Sequence, residues 1–385
     1  MKGNFLKSIR SAMYLTIEFL SSFLLYGPGK FYDTIIVKPD AIGDFIMFVP
    51  FLNELVNSFP NEKILVVGNE SYKDFALSFG LSGNLEFCWI NRRQFSRNII
   101  YRFKLLRDLR KLRGGKLLCP VYSEDENGAD VIMRVIDAQK KYTLRPGDKS
   151  KRCVKRHHTE IVSQNLDLDP NYQFEIDRHK RFFSQFIKQN LDDEMDFFDK
   201  IRNQHVDQRV PNKYFVVFIG ASDEKRRWSE VKYMELCERL SSIYSGEIVI
   251  CGSLEDLERM NKLNIKLPRK GLNLVGKTSL GQLMAIIGNC DFLISNESCA
   301  PHLAYLTSKK KCFVISNGNH FGRFCPYPRR LYENYNGIFH PDVNLDGLHN
   351  LDQIDRFDSG SDLNINDIPV KTVYNIIKEG INFVN

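Results

Sequence analysis

The sequence lacks the cysteine spacing of a metal site or of a disulfide framework. Its 385 residues include nine cysteines, and none of these forms a Cys-x-x-Cys pair. Several lie in apolar runs such as Ile248-Val249-Ile250-Cys251, where a thiol behaves as a small apolar side chain. This pattern is typical of free thiols in a reducing cytoplasm, and it argues against a disulfide-stapled secreted domain and against a zinc site.

A long uninterrupted apolar run is also lacking. The most apolar stretch near the start of the chain, Ala12–Tyr26, is interrupted by Glu18, Ser21 and Ser22, and it is too short to span a bilayer comfortably. No small-residue cleavage pattern follows it, which disfavours a signal peptide. We predict an amphipathic helix within residues 1–33. Two hypotheses stay open for it: packing on its own protein, or contact with the inner face of the cell membrane.

The sequence contains no internal repeat and no low-complexity tract. Hydrophobic residues make up 43% of the chain and charged residues 26%, which predicts a globular protein. The length fits two domains. A net charge of +7 suggests an anionic partner, such as a phosphorylated sugar, a glycolipid or an anionic membrane surface. A nucleic-acid partner would rest on net charge alone and would bind in a salt-sensitive way, so we predict none.

Two stretches of the chain alternate β-rich runs with helical patterns. The first series extends from Thr34 to Cys119 and the second from Tyr214 to Ile315. Such alternation predicts an α/β fold with parallel sheets. We therefore predict two Rossmann-like domains, at residues 34–205 and 206–365, that face each other across a cleft. Because ligands bind at the carboxyl ends of parallel strands, this arrangement suits an enzyme that joins two substrates.

Two segments fall outside this alternation. Leu144–Pro211 is polar with a helical pattern, and we predict an appendage and linker without strands. The last helix, near Val370–Gly380, follows a loop rich in Asp and Asn. Residues 366–385 are predicted to pack back on the N-terminal domain.

The first candidate site follows the first strand, at Lys38-Pro39-Asp40-Ala41-Ile42-Gly43-Asp44. Gly43 would allow a tight turn from strand to helix and the close approach of a ligand. Asp44 would lie in the first turn of the helix. Its carboxylate is either a capping or first-turn acid, or a general base that takes a proton from an acceptor hydroxyl. Asp40 is a candidate acceptor contact.

The second candidate site follows the first strand of the second series, at Gly220–Ser229. Its small residues, cations and helix start predict a diphosphate cradle built from backbone amides, the Ser222 hydroxyl and Arg226. The alternative is a solvated charged loop. The strand-loop-helix context favours the cradle.

A further polar turn lies between a strand and a helix at Ser295–Ala304. Glu297 is a candidate for holding ribose or sugar hydroxyls, and Ser298 with the helix amides for holding a phosphate. His302 falls one turn into the helix, where a lone histidine is more often structural than catalytic.

The segment Gly271–Thr278 matches the P-loop pattern G-x-x-x-x-G-K-[ST] letter for letter. We reject that function because the four middle residues are themselves the strand and so cannot wrap a phosphate. Lys277 still lies at a strand end, where it would line the nucleotide site. In the loop Asn317–Pro328, glycines and aromatic residues suggest a ligand-facing loop, with His320 and Arg323 as candidate acceptor or sugar contacts.

Taken in order, these motifs resemble the heptosyltransferase family, glycosyltransferase family 9. The family shows a strand, a turn ending in Gly-Asp and a helix with an internal Pro, here Ile36–Asp44 and Pro50. A Gly-Ala-Ser-like turn with a basic pair and Trp follows, here Gly220–Trp228. A Gly-Lys-Thr-Ser-Leu element then stands at Gly276–Leu280, and an element like Asn-Asp-Ser-Gly-x-x-His-Leu-Ala at Asn296–Ala304. The combination is specific, although each motif alone is not.

The resemblance implies a GT-B fold and an inverting, metal-independent transfer without a further cofactor. The donor would be an ADP-linked or other nucleotide-linked sugar, and the acceptor an anionic glycan or glycolipid such as lipopolysaccharide or capsule. Asp44 would be the general base, and Arg226 would neutralise the leaving diphosphate. Further donor contacts are implied at Gly43, Ser222, Glu255 (ribose), Lys277, Thr278 (near the base), Glu297, Ser298 and His302.

The sequence departs from the family pattern at two positions. Glu297 stands where Asp is usual, and Cys299 stands where Gly is usual. Cys299 adds a side chain where backbone would approach the donor, so ADP-heptose is not implied as the donor. These departures leave a second hypothesis open, a non-catalytic nucleotide-sugar or glycan-binding protein on a decayed GT-B fold. Asp44 and the basic loop favour the enzyme.

Two weaker patterns remain. Asp167-Leu168-Asp169 looks like the metal-binding acid pair of another class of glycosyltransferases, but it follows no strand and we interpret it as accidental. The basic run between Arg92 and Lys116 is interpreted as a solvated helix face or as a surface for acceptor phosphates, as is Lys149–His158.

Overall fold

The computed structural model describes residues 13–21, 29–81, 83–123, 125, 128–144, 160–163, 174–192, 210–307, 309–344, 354, 356–357 and 360–381. The chain divides into two compact units. The first comprises Met1–Asp169 and Arg178–Leu191, and the second comprises Pro170–Asp177 and Asp192–Asn385. Asp167-Leu168-Asp169 and Lys149–His158 lie outside the described residues.

The first unit is built on six parallel strands in the order β3-β2-β1-β4-β5-β6. The strands are β1 Lys30–Lys38, β2 Ile64–Asn69, β3 Leu85–Ile90, β4 Leu112–Cys119, β5 Asp137–Thr143 and β6 Glu160–Ser163. The helices are α1 at 13–20, α2 Ile42–Ser58, α3 Lys73–Ser78, α4 Arg92–Arg97, α5 Ile99–Leu109, α6 Ala129–Val135 and α7 Glu175–Ile187, the last of which begins in the second unit.

The second unit carries its own six parallel strands, in the order β12-β11-β10-β7-β8-β9. The strands are β7 Tyr214–Phe218, β8 Glu247–Cys251, β9 Gly271–Asn273, β10 Phe292–Asn296, β11 Lys311–Ser316 and β12 Tyr335–Phe339. The helices are α8 Glu230–Ser241, α9 Leu254–Lys262, α10 Leu280–Asn289, α11 Cys299–Thr307 and α12 Val370–Gly380.

The inner strands β2, β7 and β10 are buried along their whole length. Strands of a parallel sheet are covered by helices on both faces, so they require nearly continuous apolar runs. Full burial of one Val, Ile or Phe side chain contributes roughly 1.5–3 kcal/mol. These runs therefore predict the centres of both sheets, and the predicted α/β class with two Rossmann-like parallel sheets is confirmed.

Each sheet has the strand order of a dinucleotide-binding fold. Numbered within its own unit, each follows the order 3-2-1-4-5-6, which reverses direction between the first and fourth strands. Ligands bind beyond the carboxyl ends of the strands at this topological switch point. The switch points lie between β1 and β4 in the first unit and between β7 and β10 in the second.

The prediction that Leu144–Pro211 contains no strand is wrong, because β6 lies within it and pairs with β5. β5 was also missed, since its sequence Asp-Ala-Gln-Lys-Lys-Tyr-Thr is largely polar and shows no apolar run. Periodicity marks buried strands well and the outer strands of a sheet poorly.

The long basic helix predicted after β3 is two helices, α4 and α5. Asn98 between them has an extended backbone, and its side chain accepts a hydrogen bond from the Tyr101 amide at 3.0 Å. An asparagine that caps a new helix in this way ends the preceding one.

The last helix, α12, has its apolar side chains in the core of the second unit. Val370, Val373 and Ile377 are buried there together with residues of β7 and α8. The sequence prediction had placed this helix on the N-terminal domain. The structure shows that this placement is wrong. The spacing of the side chains predicts which face of the helix is buried, but it does not predict which surface that face packs against.

The cysteines of the described residues are free thiols, at Cys88, Cys119, Cys237, Cys251, Cys290, Cys299, Cys312 and Cys325. Burial raises the pKa of Cys290 and of Cys299 to about 12. Within the same described ranges, no helix has the length and apolar character needed to cross a membrane.

Candidate functional site

Several of the candidate site residues lie at the two switch points. In the first unit, the loop after β1 carries Asp40 and leads into α2 with Asp44. In the second unit, the loop after β7 carries Ser222 and Arg226, and the turn after β10 carries Glu297 and Ser298. These positions are where parallel sheets of this order bind ligands.

Asp44 lies in the first turn of α2 and is partly exposed. The residue before the helix is Ala41, whose side chain caps no backbone amide. Asp44 is therefore a first-turn acid by position, near the positive end of the helix dipole. Burial raises the pKa of the Tyr72 hydroxyl, and the negative charges of Asp40 and Asp44 raise it further. Asp44 is therefore close to Tyr72.

Gly43 lies inside α2, in the same first turn. The sequence prediction placed it in the tight turn between strand and helix, but Pro39–Ala41 make that turn. Helix α2 begins two residues before Asp44. Because Gly43 has no side chain, it does not cover the N-terminal end of this helix.

A buried lysine holds the loop before Asp44. Lys38 at the end of β1 is fully buried, and its ammonium group donates to Asp40 Oδ2 at 2.8 Å and to the Pro120 carbonyl at 3.4 Å. The Nε2 atom of His179, from α7, lies 3.4 Å from Lys38 Nζ and 3.2 Å from the Pro120 carbonyl. Because a buried charge needs close partners, these contacts fix the end of β1 relative to β4.

The outer side of the same loop is fixed by Arg92. Its guanidinium donates to the Pro39 carbonyl at 3.0 Å and pairs with Asp125 at 2.9 Å. Asn69 donates to the Asp40 carbonyl at 3.0 Å. Asp40, predicted as an acceptor contact, is mostly buried in this network, which orients the start of α2 and hence Asp44.

Arg226 forms the centre of the second switch point. Its Nη2 donates to Ser222 Oγ at 2.6 Å, and its Nη1 lies 3.5 Å from Glu297 Oε1. Its side chain is only 19% exposed. The buried Nε has no hydrogen-bond partner within the described part of the protein. A guanidinium with a donor to spare is suited to a bidentate anion such as a phosphate.

Glu297 holds the other side of the cation. Its side chain is almost fully buried, and Ser316 Oγ donates to Oε2 at 3.1 Å. Burial raises the pKa of this carboxyl group, while Arg226 opposes the rise. The predicted residues Ser222, Arg226 and Glu297 are therefore brought together, and Ser298 follows directly, with its hydroxyl 3.3 Å from Ser295 Oγ.

The loop after β7 is anchored by Trp228 and Asn296. Trp228 is fully buried, and its backbone amide donates to the Asn296 side chain at 3.0 Å. Asn296 in turn donates to the Ile219 carbonyl at 2.8 Å. These bonds fix the ends of β7 and β10 to each other, which sets where Arg226 meets Glu297.

Gly220 is required for a reason other than ligand approach. A Cβ atom at this position would come within 2.4 Å of Asp256 Oδ2. Asp256 accepts from the Ser253 amide at 2.7 Å and forms a capping box at the start of α9. Sequence reasoning missed Asp256, although the pattern Ser-x-x-Asp before a helix is a recognisable sign of such a box.

Three further predicted donor residues follow β8 and β9. Glu255 is exposed in the first turn of α9. Lys277 is also exposed, and its ammonium donates to the Asn273 carbonyl at 3.1 Å. Thr278 is partly exposed next to it. They lie at the same edge of the sheet as Arg226. Strand β9 is Gly271–Asn273, so it includes only two of the four middle residues of the P-loop match and not all four as predicted. The first glycine of the match also lies in the strand, which a P-loop does not allow.

His302 is buried in α11, and its Nδ1 lies 2.7 Å from the Tyr327 hydroxyl. Burial lowers the pKa of His302 to about 3, and the positive charge of Arg226 adds to this effect. The imidazole is therefore neutral throughout the physiological pH range. The contact with Tyr327 supports the structural interpretation of this residue.

We expect His302 to destabilise the folded protein on acidification. In the unfolded chain it takes up a proton as the pH falls through its ordinary pKa of 6.5, but the folded protein resists until about pH 3. Between pH 7 and 5 the wild type should lose about 2 kcal/mol more unfolding free energy than His302→Gln. Urea denaturation of both proteins at the two pH values measures this difference. Equal losses would show that His302 is protonated in the folded state.

The loop after β11 does not present its arginine as predicted. Arg323 is buried, and its Nε donates to Glu175 Oε2 at 2.9 Å. The Glu175 amide also donates to the Arg323 carbonyl at 2.9 Å. Arg323 thus pairs with the start of α7. No local sequence pattern predicts this ion pair. His320 is partly exposed with a left-handed backbone at φ 50°, and it stays a candidate ligand contact.

The chain is similar to a known protein family and to several solved structures. The family model described as glycosyltransferase family 9 (heptosyltransferase) matches residues 132–312. The glycosyl transferase family 9 structure from Veillonella parvula DSM 2008 is 17% identical and has a TM-score of 0.63, over 90% of this chain and 97% of its own. No curated protein sequence matches.

Two heptosyltransferase structures from E. coli are also similar. WaaC with ADP-2-deoxy-2-fluoro heptose is 14% identical with a TM-score of 0.63, over 91% of this chain and 100% of its own. ADP-heptose lps heptosyltransferase II is 15% identical with a TM-score of 0.57, over 90% and 98% respectively.

The strand orders and these structural similarities show that the protein has the GT-B fold of glycosyltransferases. Residues 132–312 match glycosyltransferase family 9, the heptosyltransferase family, in agreement with the motifs of the sequence, and the protein is a glycosyltransferase. The matched residues contain Arg226, Glu297 and His302 but not Asp44.

Proposed function

We propose that the protein transfers heptose or another hexose-like sugar from a nucleotide-sugar to a lipopolysaccharide, capsule or other surface glycan. The transfer would be a single displacement that inverts the anomeric carbon and needs no metal ion. Asp44 would deprotonate the acceptor hydroxyl, and Arg226 would neutralise the leaving diphosphate. The enzyme would work in the cytoplasm.

The observation that carries this proposal is the position of Arg226. Its guanidinium lies at the switch point of the second sheet, it is oriented by Ser222 and Glu297, and its Nε is buried without a partner in the described structure. A preorganised cation stabilises the charge that develops on a departing diphosphate without further reorganisation. A guanidinium in this position can neutralise the diphosphate in place of a divalent metal ion. Among the described residues, no group of three or more His, Cys, Asp or Glu side chains is placed to hold a metal.

The place of Asp44 supports the second half of the proposal. It is a partly exposed carboxylate in the first turn of α2, just beyond the carboxyl end of β1, and the loop before the helix is fixed by Lys38, Arg92 and Asn69. A general base must stay in position to meet the hydroxyl it deprotonates. Attack by that hydroxyl from the face opposite the diphosphate would invert the anomeric carbon.

The donor nucleotide can be identified by thermal shift. We would melt the purified protein with ADP, GDP, UDP, CDP and dTDP, each with magnesium and with EDTA. A ligand that binds only the folded state at 100 times its Kd stabilises it by about 2.7 kcal/mol. ADP is the first to test, because one similar structure contains an ADP-linked heptose analogue. We expect one diphosphate to raise the Tm equally with and without magnesium. A rise that needs magnesium, or no rise with any diphosphate, would contradict the proposal.

A further inference from the structure

Helix α1 packs on the first unit through one side of its surface. The hydroxyl of Tyr14 donates to the Ser96 carbonyl, and the Arg102 guanidinium lies 4.2 Å from the centre of the Tyr14 ring. Glu18 receives two hydrogen bonds from Arg134, at 3.0 and 2.9 Å. The side that faces the protein therefore carries Tyr14 and Ile17, which are buried in the core of the first unit, and Glu18, which pairs with Arg134.

The end of α1 is held by a second buried arginine. Arg110 donates from Nε to Ser21 Oγ at 3.0 Å and from Nη2 to the Glu18 carbonyl at 2.8 Å. Tyr14 thus meets the start of α5 and Ser21 meets its end, so the two helices run side by side in the same direction. Partly buried charge-assisted bonds of this kind hold a fixed orientation.

The other side of α1 carries apolar residues that are exposed. Leu15 is 63% exposed, Phe19 62% and Leu20 50%. We call these three residues the outer face of α1. The helix is therefore apolar on both sides, since Tyr14 and Ile17 are buried in the core of the first unit while leucine and phenylalanine on the other side are exposed. Ile99 and Ile100, at the start of the neighbouring α5, are exposed as well.

Cations accompany these apolar residues. Arg93 and Arg97 in α4 and Lys104 in α5 are exposed, and Arg97 directly follows Ser96, whose carbonyl binds Tyr14. These cations lie on the two helices that α1 contacts through Ser96 and Arg102. Exposed apolar side chains on one helix, with exposed lysine and arginine on its neighbours, suit the boundary between lipid headgroups and acyl chains. Anionic headgroups would add an attraction for each cation. A second copy of the chain would bring cations of the same sign together, so it fits this surface less well.

We propose that the outer face of α1, with Arg93, Arg97 and Lys104, docks the protein on an anionic lipid bilayer. The two sequence hypotheses for this helix are then compatible, because one side packs on the protein and the other enters the headgroup layer. The proposal does not depend on the reaction catalysed, so its test is separate from that of the transferase.

The test is sedimentation of the full-length protein with lipid vesicles. We expect binding to vesicles that contain phosphatidylglycerol, weak binding to pure phosphatidylcholine, and release in high salt. Leu15→Ser/Leu20→Ser should reduce binding by about tenfold or more. The matched control is Leu77→Ser/Leu263→Ser, which changes leucines that are 55% and 58% exposed elsewhere on the protein and should bind as the wild type does.

A second variant tests the charges. Arg93→Gln/Arg97→Gln/Lys104→Gln should lose the preference for phosphatidylglycerol and most of the salt sensitivity. Unchanged melting temperatures would show that all variants fold, since every substituted side chain is exposed. Vesicle binding by Leu15→Ser/Leu20→Ser equal to that of the wild type would overturn the proposal. So would a wild-type dimer that this variant dissociates, because the face would then be an interface between copies.

Discussion

Replacement of Asp44 by asparagine is expected to abolish sugar transfer while nucleotide binding stays unchanged. The amide has nearly the size of the carboxylate but cannot accept the acceptor's proton. Loss of a positioned general base typically costs 10²–10⁴-fold in rate, so we expect kcat to fall by about that factor. Transfer from the donor identified by thermal shift, followed by release of nucleoside diphosphate, measures the rate. Calorimetry measures the affinity for the diphosphate.

The chain offers a matched control for this variant. Like Asp44, Asp74 is an aspartate in the first turn of a helix of the first unit, and it is exposed. Asp74→Asn removes the same charge from the same kind of position, where such a charge contributes about 0.3–1 kcal/mol to stability. It should leave kcat unchanged. Turnover by Asp44→Asn within a few fold of the wild type would remove Asp44 from the role of base.

Replacement of Arg226 by alanine is expected to weaken binding of the nucleoside diphosphate by about 10- to 100-fold. A hydrogen bond to a charged group contributes about 1.5–3 kcal/mol, and each 1.4 kcal/mol is about tenfold in affinity. The variant also leaves Glu297 buried without its cation, which should raise the pKa of that carboxyl group further. Titration calorimetry with the diphosphate checks the loss directly.

Two variants refine this result. Arg226→Lys keeps the charge but not the planar fork of donors, so we expect it to recover only part of the affinity. Lys225→Ala is the control, because Lys225 is the adjacent cation and pairs with Asp362 on the surface. Its affinity should match the wild type. An unchanged Kd for Arg226→Ala would place the diphosphate elsewhere in the protein.

The local features of the fold could be predicted from the sequence. Apolar runs marked the buried strands of both sheets, and helical spacing marked α2 and α12. The order of the motifs indicated the family, which the comparisons support. These features depend on residues close together in the chain, because a strand or a helix is specified by the burial pattern of its own side chains.

The partners of the site residues could not be predicted in this way. Arg226 meets Glu297 across 71 residues, and Arg323 meets Glu175 across 148. No local spacing distinguishes Arg226, which remains at the switch point, from Arg323, which is buried in an ion pair. The difference follows from which strands are neighbours, since β7 lies beside β10 only in the complete sheet.

For this protein, the sequence by itself determined the α/β class, the central strands and the loops that carry the candidate site. Only the tertiary structure decided that His302 is buried against Tyr327, that α12 packs in the second unit, and that α1 turns Leu15 and Leu20 outward. Hydrophobic periodicity predicts that a helix or strand has a buried face. The surface against which that face packs is set by contacts between segments that are distant in the sequence. Burial and pairing depend on those contacts, so they appear only once the chain has folded.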